Sequence, residues 1–409
     1  MENVLEVRPE MQEAIWHRMR HQAGRTLERF CQLVMEAERD LFLGCGHHER
    51  SQVRRGWRNG YEGRWLETPF GVLRLRTPRV RGTERPLRTL LFDAYARRSR
   101  QVEAAVEAWV AAGCSTRAVV DGMLEAFGYA VSPATVSRII ARVDAELARW
   151  RSRPLERSYR LLWLDAKYGY VRNGGRRGRQ RRLRGRKRPA VMLVAWGLRH
   201  DGREELVDFQ AVEGPETYEA WSAFLTQLER RGLKPWNRWD EPMEMIVTDG
   251  DAGLEAACDL VYPMVPRQRC IFHRLQNVAR RLRDRRHRGA ILASASGVWE
   301  SVQTAAEATR RLERWAEVWQ DVEPEAVATL AEGFDETLRY LNLEPALRTR
   351  ARTTNPIERF MGELEKATGH VPIWENPHGW ERHVWVLWKR LKRRSYRPTR
   401  PRPEFTRTS

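Results

Sequence analysis

Residues 159–171, YRLLWLDAKYGYV, form an almost unbroken apolar run with one carboxylate, Asp165, inside it. A run of that length and make-up reads as a buried strand. An ionised carboxylate left unpaired there would cost several kcal/mol, so the fold has to bring it a cation. A buried arginine is one solution and a metal ion is the other. Two further strands follow, AVMLVAWGL (190–198) and EELVDFQAV (204–212), linked through the Gly-containing turn HDGREE as a hairpin. YEAWSAFLTQLERRGL is an amphipathic helix ending at Gly232, and MEMIVTD is a short apolar strand with Asp249 at its tip. Three strands, a helix, a strand and a helix predict an α/β layer on a mixed sheet.

Gly250 lets the backbone turn sharply behind Asp249. Two strands that each deliver an aspartate to one sheet edge can hold a hard divalent cation through oxygen. Asp251 is a rival to Asp249, expected on the turn and aimed away. A third acid is sought downstream in RARTTNPIERFMGELEK. There Thr353 or Thr354 and Asn355 can cap a helix, Pro356 fits its first turn, and Glu358 falls near its N-terminus. A helix dipole alone also favours a carboxylate at that place.

Cys270-x-x-His273 raises zinc as an alternative. A closed zinc site needs four ligands, and Cys258 and His287 offer no second pair at regular spacing, while Cys45, His47 and His48 are remote. The five cysteines are odd in number and scattered, so no disulfide framework is implied and a reducing compartment is expected.

Lys plus Arg total 73 against 54 Asp plus Glu, a net charge of +19 dominated by arginine. A surplus of that size points to a polyanionic partner, with nucleic acid ahead of a merely charged surface. Residues 176–188, RRGRQRRLRGRKR, carry nine positive charges on Arg176, Arg177, Arg179, Arg181, Arg182, Arg184, Arg186, Lys187 and Arg188. They read as a DNA-contacting arm, disordered without DNA, whose self-repulsion phosphates would relieve. STRAVVDGMLEAFGYAVSPATVSRIIARV has a Ser-Thr helix start, a stop near Gly128 and a Ser-Pro-Ala-Thr restart. That is the outline of a helix-turn-helix with Thr135, Ser137 and Arg138 early in the recognition helix, or of a plain packed pair. Residues 54–81 read as a small hairpin of alternating Arg and aromatic residues, a DNA-contacting ribbon or the exposed face of an ordinary sheet.

The expected domains are an N-terminal helical region (1–53), the hairpin (54–97), the helix-turn-helix (98–152), the strand-rich section (153–274), an all-helical stretch (275–350), a last core segment (351–392) and a basic tail (393–409). Seventeen tryptophans are expected mainly in cores, Trp299, Trp315 and Trp319 among them. The N-terminus lacks the pattern of a signal peptide and no apolar stretch is long enough to span a membrane, so a cytoplasmic, nucleoid-associated protein is expected.

Four ordered stretches, WLDAKYGYV, IVTDGDAGL, QRCIFHRLQN and ARTTNPIER, resemble the Mutator-type transposases of bacterial insertion sequences, which carry a DDE set of acids. RNGYEGRWLETPFGVLRLRTPRVRG and AGCSTRAVV…SPATVSRI extend the likeness to the N-terminal part, from about residue 40 to 370 in all. The resemblance makes the polyanionic partner double-stranded DNA and implies a ribonuclease-H-like core interrupted by the all-helical stretch, with catalytic acids at Asp165, Asp249 and Glu358. It places His273 near the scissile phosphate or bracing the site, with Cys270 packed beneath and Asn355 part of the motif. Where the family usually continues with basic residues, FMGELEKATG is net acidic, which leaves Glu363 and Glu365 as rivals to Glu358; the arm is also longer than the family norm. Two Mg²⁺ or Mn²⁺ ions are expected, with Asp165 bridging both and Asp249 and Glu358 completing one each. Arg352, Arg359 and the arm would position phosphates. The N-terminal helices would recognise terminal inverted repeats, in a homodimer because two ends must be held.

Overall fold

The computed structural model describes residues 9–155, 159–172, 187–235, 241–368, 373–374 and 376–395. The chain forms two compact units, Met1–Ala145 and Glu146–Ser409.

In the first unit a long helix α1 (Pro9–Leu43) packs Cys31 and Met35 onto Leu66, Leu73 and Leu75 of an antiparallel hairpin, β1 (Trp57–Thr68) and β2 (Gly71–Arg81). On the hairpin the Arg74 guanidinium lies 4.8 Å from the Trp65 ring centre and that of Arg76 lies 4.6 Å from Tyr61. Three helices follow: α2 (Arg100–Ala111), α3 (Thr116–Phe127) and α4 (Pro133–Arg151), the last beginning in this unit and ending in the next. Val102, Val106, Val119, Met123, Val136 and Ile139 form their core. Ser115 caps α3 by accepting from the Ala118 N–H, and Gly128 ends it at φ 74°, a left-handed conformation glycine adopts without steric cost.

The second unit is built on a five-stranded mixed sheet, as the strand pattern predicts. Its members are β3 (Tyr159–Arg172), β4 (Lys187–Arg199), β5 (Glu204–Glu213), β6 (Met245–Thr248) and β7 (Arg267–Arg269), in the order β5-β4-β3-β6-β7. β3, β4 and β5 form an antiparallel meander, while β6 runs parallel to β3 and β7 parallel to β6. β4 is buried at every position from Ala190 to Leu198 because both sheet faces are covered, which is why its sequence is continuously apolar rather than alternating. On one face Leu162, Leu164, Leu193 and Ala195 meet α5 (Tyr218–Arg230) and α6 (Ala252–Val261) through Trp221, Phe224, Leu254 and Cys258. On the other face Trp163 and Trp196 meet α12 (Asn355–Thr368): the Trp163 indole donates to the Thr353 carbonyl at 3.0 Å, and Trp196 lies 5.6 Å from Phe360.

β7, with the sequence Arg-Gln-Arg, has no apolar signature and escapes a pattern reading. Gln268 is fully buried there because its amide group is satisfied, donating to the Arg269 and Thr337 carbonyls and accepting from the Tyr340 N–H. Between β7 and α12 run α7 (Ile271–Arg280), α8 (Arg288–Ser296), α9 (Ala305–Trp319), α10 (Pro324–Ala331) and α11 (Pro345–Ala351), with short 3₁₀ turns among them. Trp299 and Trp315 are buried in this helical stretch, whereas Trp319 is half-buried and donates to the Ser294 hydroxyl at 3.1 Å. A final helix α13 (Pro377–Ser395) follows α12. Among the described residues no helix is long and apolar enough to cross a membrane.

Candidate active site

β3 and β6 are in parallel register, Leu161 beside Met245 and Trp163 beside Val247. Extending that register brings Asp165 abreast of Asp249, which stands one residue past the end of β6. Asp165 is 8% exposed, and the Ala166 N–H donates to its Oδ1 at 2.8 Å. Burial, reinforced by the charges of Asp249, Glu358 and Glu216, pushes its carboxyl up to about 8, against which the Ala166 bond works only in part. A second buried aspartate in the same sheet shows the other way of solving this problem. Asp208 on β5 is 1% exposed and is met by the guanidiniums of Arg231 and Arg151. Among the described residues no arginine or lysine forms an ion pair with Asp165, Asp249, Glu216 or Glu358. The buried-arginine solution is used at Asp208 and not at Asp165.

Asp249 is fixed by the Asp251 N–H, which donates to its Oδ1 at 3.0 Å. Asp251 itself caps α6, its Oδ1 accepting from Gly253 N–H at 2.9 Å and Leu254 N–H at 3.1 Å. Between them Gly250 sits at φ 85°, and a Cβ there would run into the Arg269 side chain, which pairs with Glu336 at 3.2 Å. Gly250→Ala therefore combines a left-handed alanine with displacement of Arg269. It is expected to lower stability by about 1–3 kcal/mol, measured by urea unfolding, and to weaken the site by moving Asp249. A variant as stable as the parent would refute this account of the turn.

Glu358 lies in the first turn of α12. The Thr354 hydroxyl donates to its Oε1 at 2.9 Å and also contacts Cys270 Sγ and His273 Nδ1, both at 3.4 Å. Cys270 is fully buried at the start of α7, its N–H donating to the Thr248 carbonyl at 2.7 Å, and burial pushes its thiol up. Cys270, His273 and Glu358 thus present ligand atoms within 4.8 Å of one another. All three contact the Thr354 hydroxyl. The other zinc candidates are elsewhere: Cys258 is in the sheet core and His287 bonds Glu323 at 2.9 Å.

Glu363 pairs with Lys366 at 2.8 Å, and exposed Glu365 pairs with Lys167 at 3.0 Å. Of the three glutamates, Glu358 is the one whose charge acts on Asp165. Asn355 is the exposed first residue of α12. Arg352 is turned inward, donating to the Trp299 carbonyl at 3.2 Å with its guanidinium 5.5 Å from the Tyr340 ring centre, whereas Arg359 is exposed beside a cleft of about 620 Å³ lined by Trp196, Phe360 and Trp388. Arg176, Arg177, Arg179, Arg181, Arg182, Arg184 and Arg186 lie outside the described residues, as does most of the basic tail. Lys187 and Arg188 belong to β4 rather than to a loop. Arg188 pairs with Glu213 at 2.5 Å and the Lys187 ammonium is 5.6 Å from the Tyr170 ring centre. In the first unit, Ser137 and Arg138 are exposed on α4. Thr135, expected to face outward, is 4% exposed: its hydroxyl bonds that of Ser132 at 3.0 Å and accepts from Arg138 at 3.1 Å, so it braces Arg138 from inside.

Two participants carried no signal strong enough to single out from the sequence. Thr354 reads as one of two adjacent cap candidates. Glu216, in EGPETYEAW, reads as an ordinary acid ahead of a helix, and only its spacing of five residues from Trp221 hints at a bond.

The sequence profile described as "Transposase, Mutator family" matches residues 10–394. The transposase for insertion sequence element ISRM5 of Rhizobium meliloti (strain 1021) is 33% identical over 356 residues, covering 87% of this chain and 84% of its own length. That for IS406 of Burkholderia multivorans (strain ATCC 17616 / 249) is 32% identical over 368 residues, covering 89% of each. A solved structure, the Drosophila P element transposase strand transfer complex, is 10% identical at a TM-score of 0.28, over 71% of this chain and 80% of that one, a likeness too loose to carry an argument. A match that runs from residue 10 to residue 394 passes through both compact units and takes in every acid of the cluster, and the chain belongs to the Mutator family of transposases.

Proposed function

We propose that this transposase mobilises an insertion sequence, binding its terminal inverted repeats and carrying out 3′-end cleavage and strand transfer at a two-cation site held by Asp165, Asp249 and Glu358. The observation that carries the reading is the buried Asp165 carboxyl, raised by burial and by the charges of half-buried Asp249 and Glu358, with no arginine or lysine paired to the three among the described residues. Hard oxygen donors without a protein cation suit Mg²⁺ or Mn²⁺. When bound, such ions activate the attacking oxygen and neutralise charge on the leaving oxygen.

The chain's own groups prepare the site. Asp165 keeps its proton near neutral pH until a cation takes its place. Thr354 holds Glu358, with His273 and Cys270 behind it, and the Asp251 N–H holds Asp249. The N-terminal ends of α5, α6 and α12 lie beside Glu216, Asp249 and Glu358, where the helix dipoles favour negative charge. Hydrolysis at each element end would free a 3′-hydroxyl, which then attacks a target phosphodiester.

The meander β3-β4-β5 with parallel β6 and β7 supports a ribonuclease-H-like core over 153–274 and 351–392, with residues 275–350 as its helical insertion. The turn between α3 and α4 supports a helix-turn-helix over 98–152, with Ser137 and Arg138 facing DNA. Exposed Arg359 and the basic stretch 176–186 would take phosphates, and two copies would hold the two ends.

Full-length protein, a short duplex copied from the repeats flanking the coding region, a target plasmid and Mn²⁺ should give joined product. Cleavage without joining would indicate a hybrid- or junction-cutting nuclease instead, and DNA binding without cleavage an inactive regulator.

A further inference from the structure

The carboxylate of Glu216 sits between β5 and α5, held by two neutral donors from different elements. The Trp221 indole donates to Oε1 at 2.7 Å and the Tyr168 hydroxyl donates to Oε2 at 2.6 Å. Trp221 is fully buried in the sheet–helix core, so one jaw of this clamp is rigid. Tyr168 lies on β3 three residues past Asp165 and ties the other oxygen to the strand that bears that acid. The start of α5 is pressed against the start of α6: a Cβ on Gly253 would come within 2.9 Å of the Tyr218 nitrogen and 3.2 Å of the Thr217 carbonyl carbon. Glu216 is thereby fixed beside the Asp249–Asp251 turn, and its charge acts on Asp165, while the charges of Asp249 and Asp251 act on it.

Neutral donors orient a carboxylate without cancelling its charge, and each oxygen keeps a lone pair free. Glu358 approaches the acids from the sheet face covered by α12, and Glu216 from the face covered by α5 and α6.

We propose that Glu216 is a fourth metal-binding carboxylate of the site, sharing a divalent cation with Asp249 and Asp165, and that Tyr168 and Trp221 are its positioning residues. This rests on the reading of Asp165, Asp249 and Glu358 as metal ligands, and the experiment separates the two. Mn²⁺ binding to the full chain is measured by the electron paramagnetic resonance of the free ion, for the parent and for Glu216→Gln, Asp165→Asn and Glu219→Gln. Gln can still accept from the indole and donate to the phenol oxygen, so the clamp survives while the charge is lost. Glu219, exposed on the first turn of α5, is the control.

Glu216→Gln is expected to weaken Mn²⁺ binding by about 100-fold and Glu219→Gln to leave it unchanged. Parent-like binding in Glu216→Gln alongside a loss in Asp165→Asn would overturn the proposal and spare the functional reading. Parent-like binding in Asp165→Asn would overturn the functional reading itself. Should Glu216→Gln not fold, Tyr168→Phe decides, since Tyr168 is 64% exposed and dispensable for packing. About a 10-fold loss of affinity is expected from removing an outer-sphere partner, and an unchanged affinity counts against Glu216.

Discussion

Asp165→Asn is expected to lower strand transfer by about 10³-fold or more, some 4 kcal/mol in the barrier, while DNA binding and the fold persist. Asparagine fills the same volume on β3, and its side-chain oxygen can still accept from the Ala166 N–H. What it removes is the charge, and with it the one acid that faces Asp249 along the strand register and senses Glu358 and Glu216 as well. On the proposed reading DNA is held by arginines elsewhere, so its affinity should not follow. The check is a strand-transfer assay in Mn²⁺ beside a mobility-shift assay with the same duplex. Joined product at parental levels from Asp165→Asn would remove Asp165 from the site.

The second large effect is on stability and follows from the same carboxyl. Its value is raised from 3.8 to about 8, so between those limits the native state binds more protons than the unfolded chain. Stability from this group is therefore complete below about pH 4 and is lost as pH rises through about 8. That rise corresponds to about 5 kcal/mol. The parent should lose on the order of 10 °C more in melting temperature between pH 5 and 9 than Asp165→Asn does. If Asp165 is a ligand as proposed, Mn²⁺ takes the ionised form, so it should restore the parent at high pH and leave Asp165→Asn unmoved. Parallel melting curves for the two proteins across this range would show that the carboxyl ionises normally.

Much of the second unit can be read from local pattern because its strands are covered on both faces. Continuous apolar runs mark β3 and β4, and the hairpin link, the amphipathic α5 and the short β6 follow from period and turn residues. Asp165 stands out for the same reason, as the single carboxylate in a run that has to be buried. β7 does not, because its burial depends on Gln268 meeting Thr337 and Tyr340 some seventy residues away. Thr135 shows a related limit: its place early in α4 is legible from the sequence, but the bond to Ser132 that turns its hydroxyl inward is not.

The succession of β3, β4, β5, α5 and β6 along the chain and the need of Asp165 for a cation therefore follow from the sequence alone, since hydrophobic period and the cost of a buried charge are local facts. Which acids gather around it was decided by tertiary structure. Parallel register sets Asp165 abreast of Asp249, the Thr354 hydroxyl holds Glu358 while Glu363 and Glu365 pair with lysines, and Trp221 and Tyr168 hold Glu216. Each of these depends on contacts between segments far apart in the chain, and no periodicity within one segment encodes where another will pack against it.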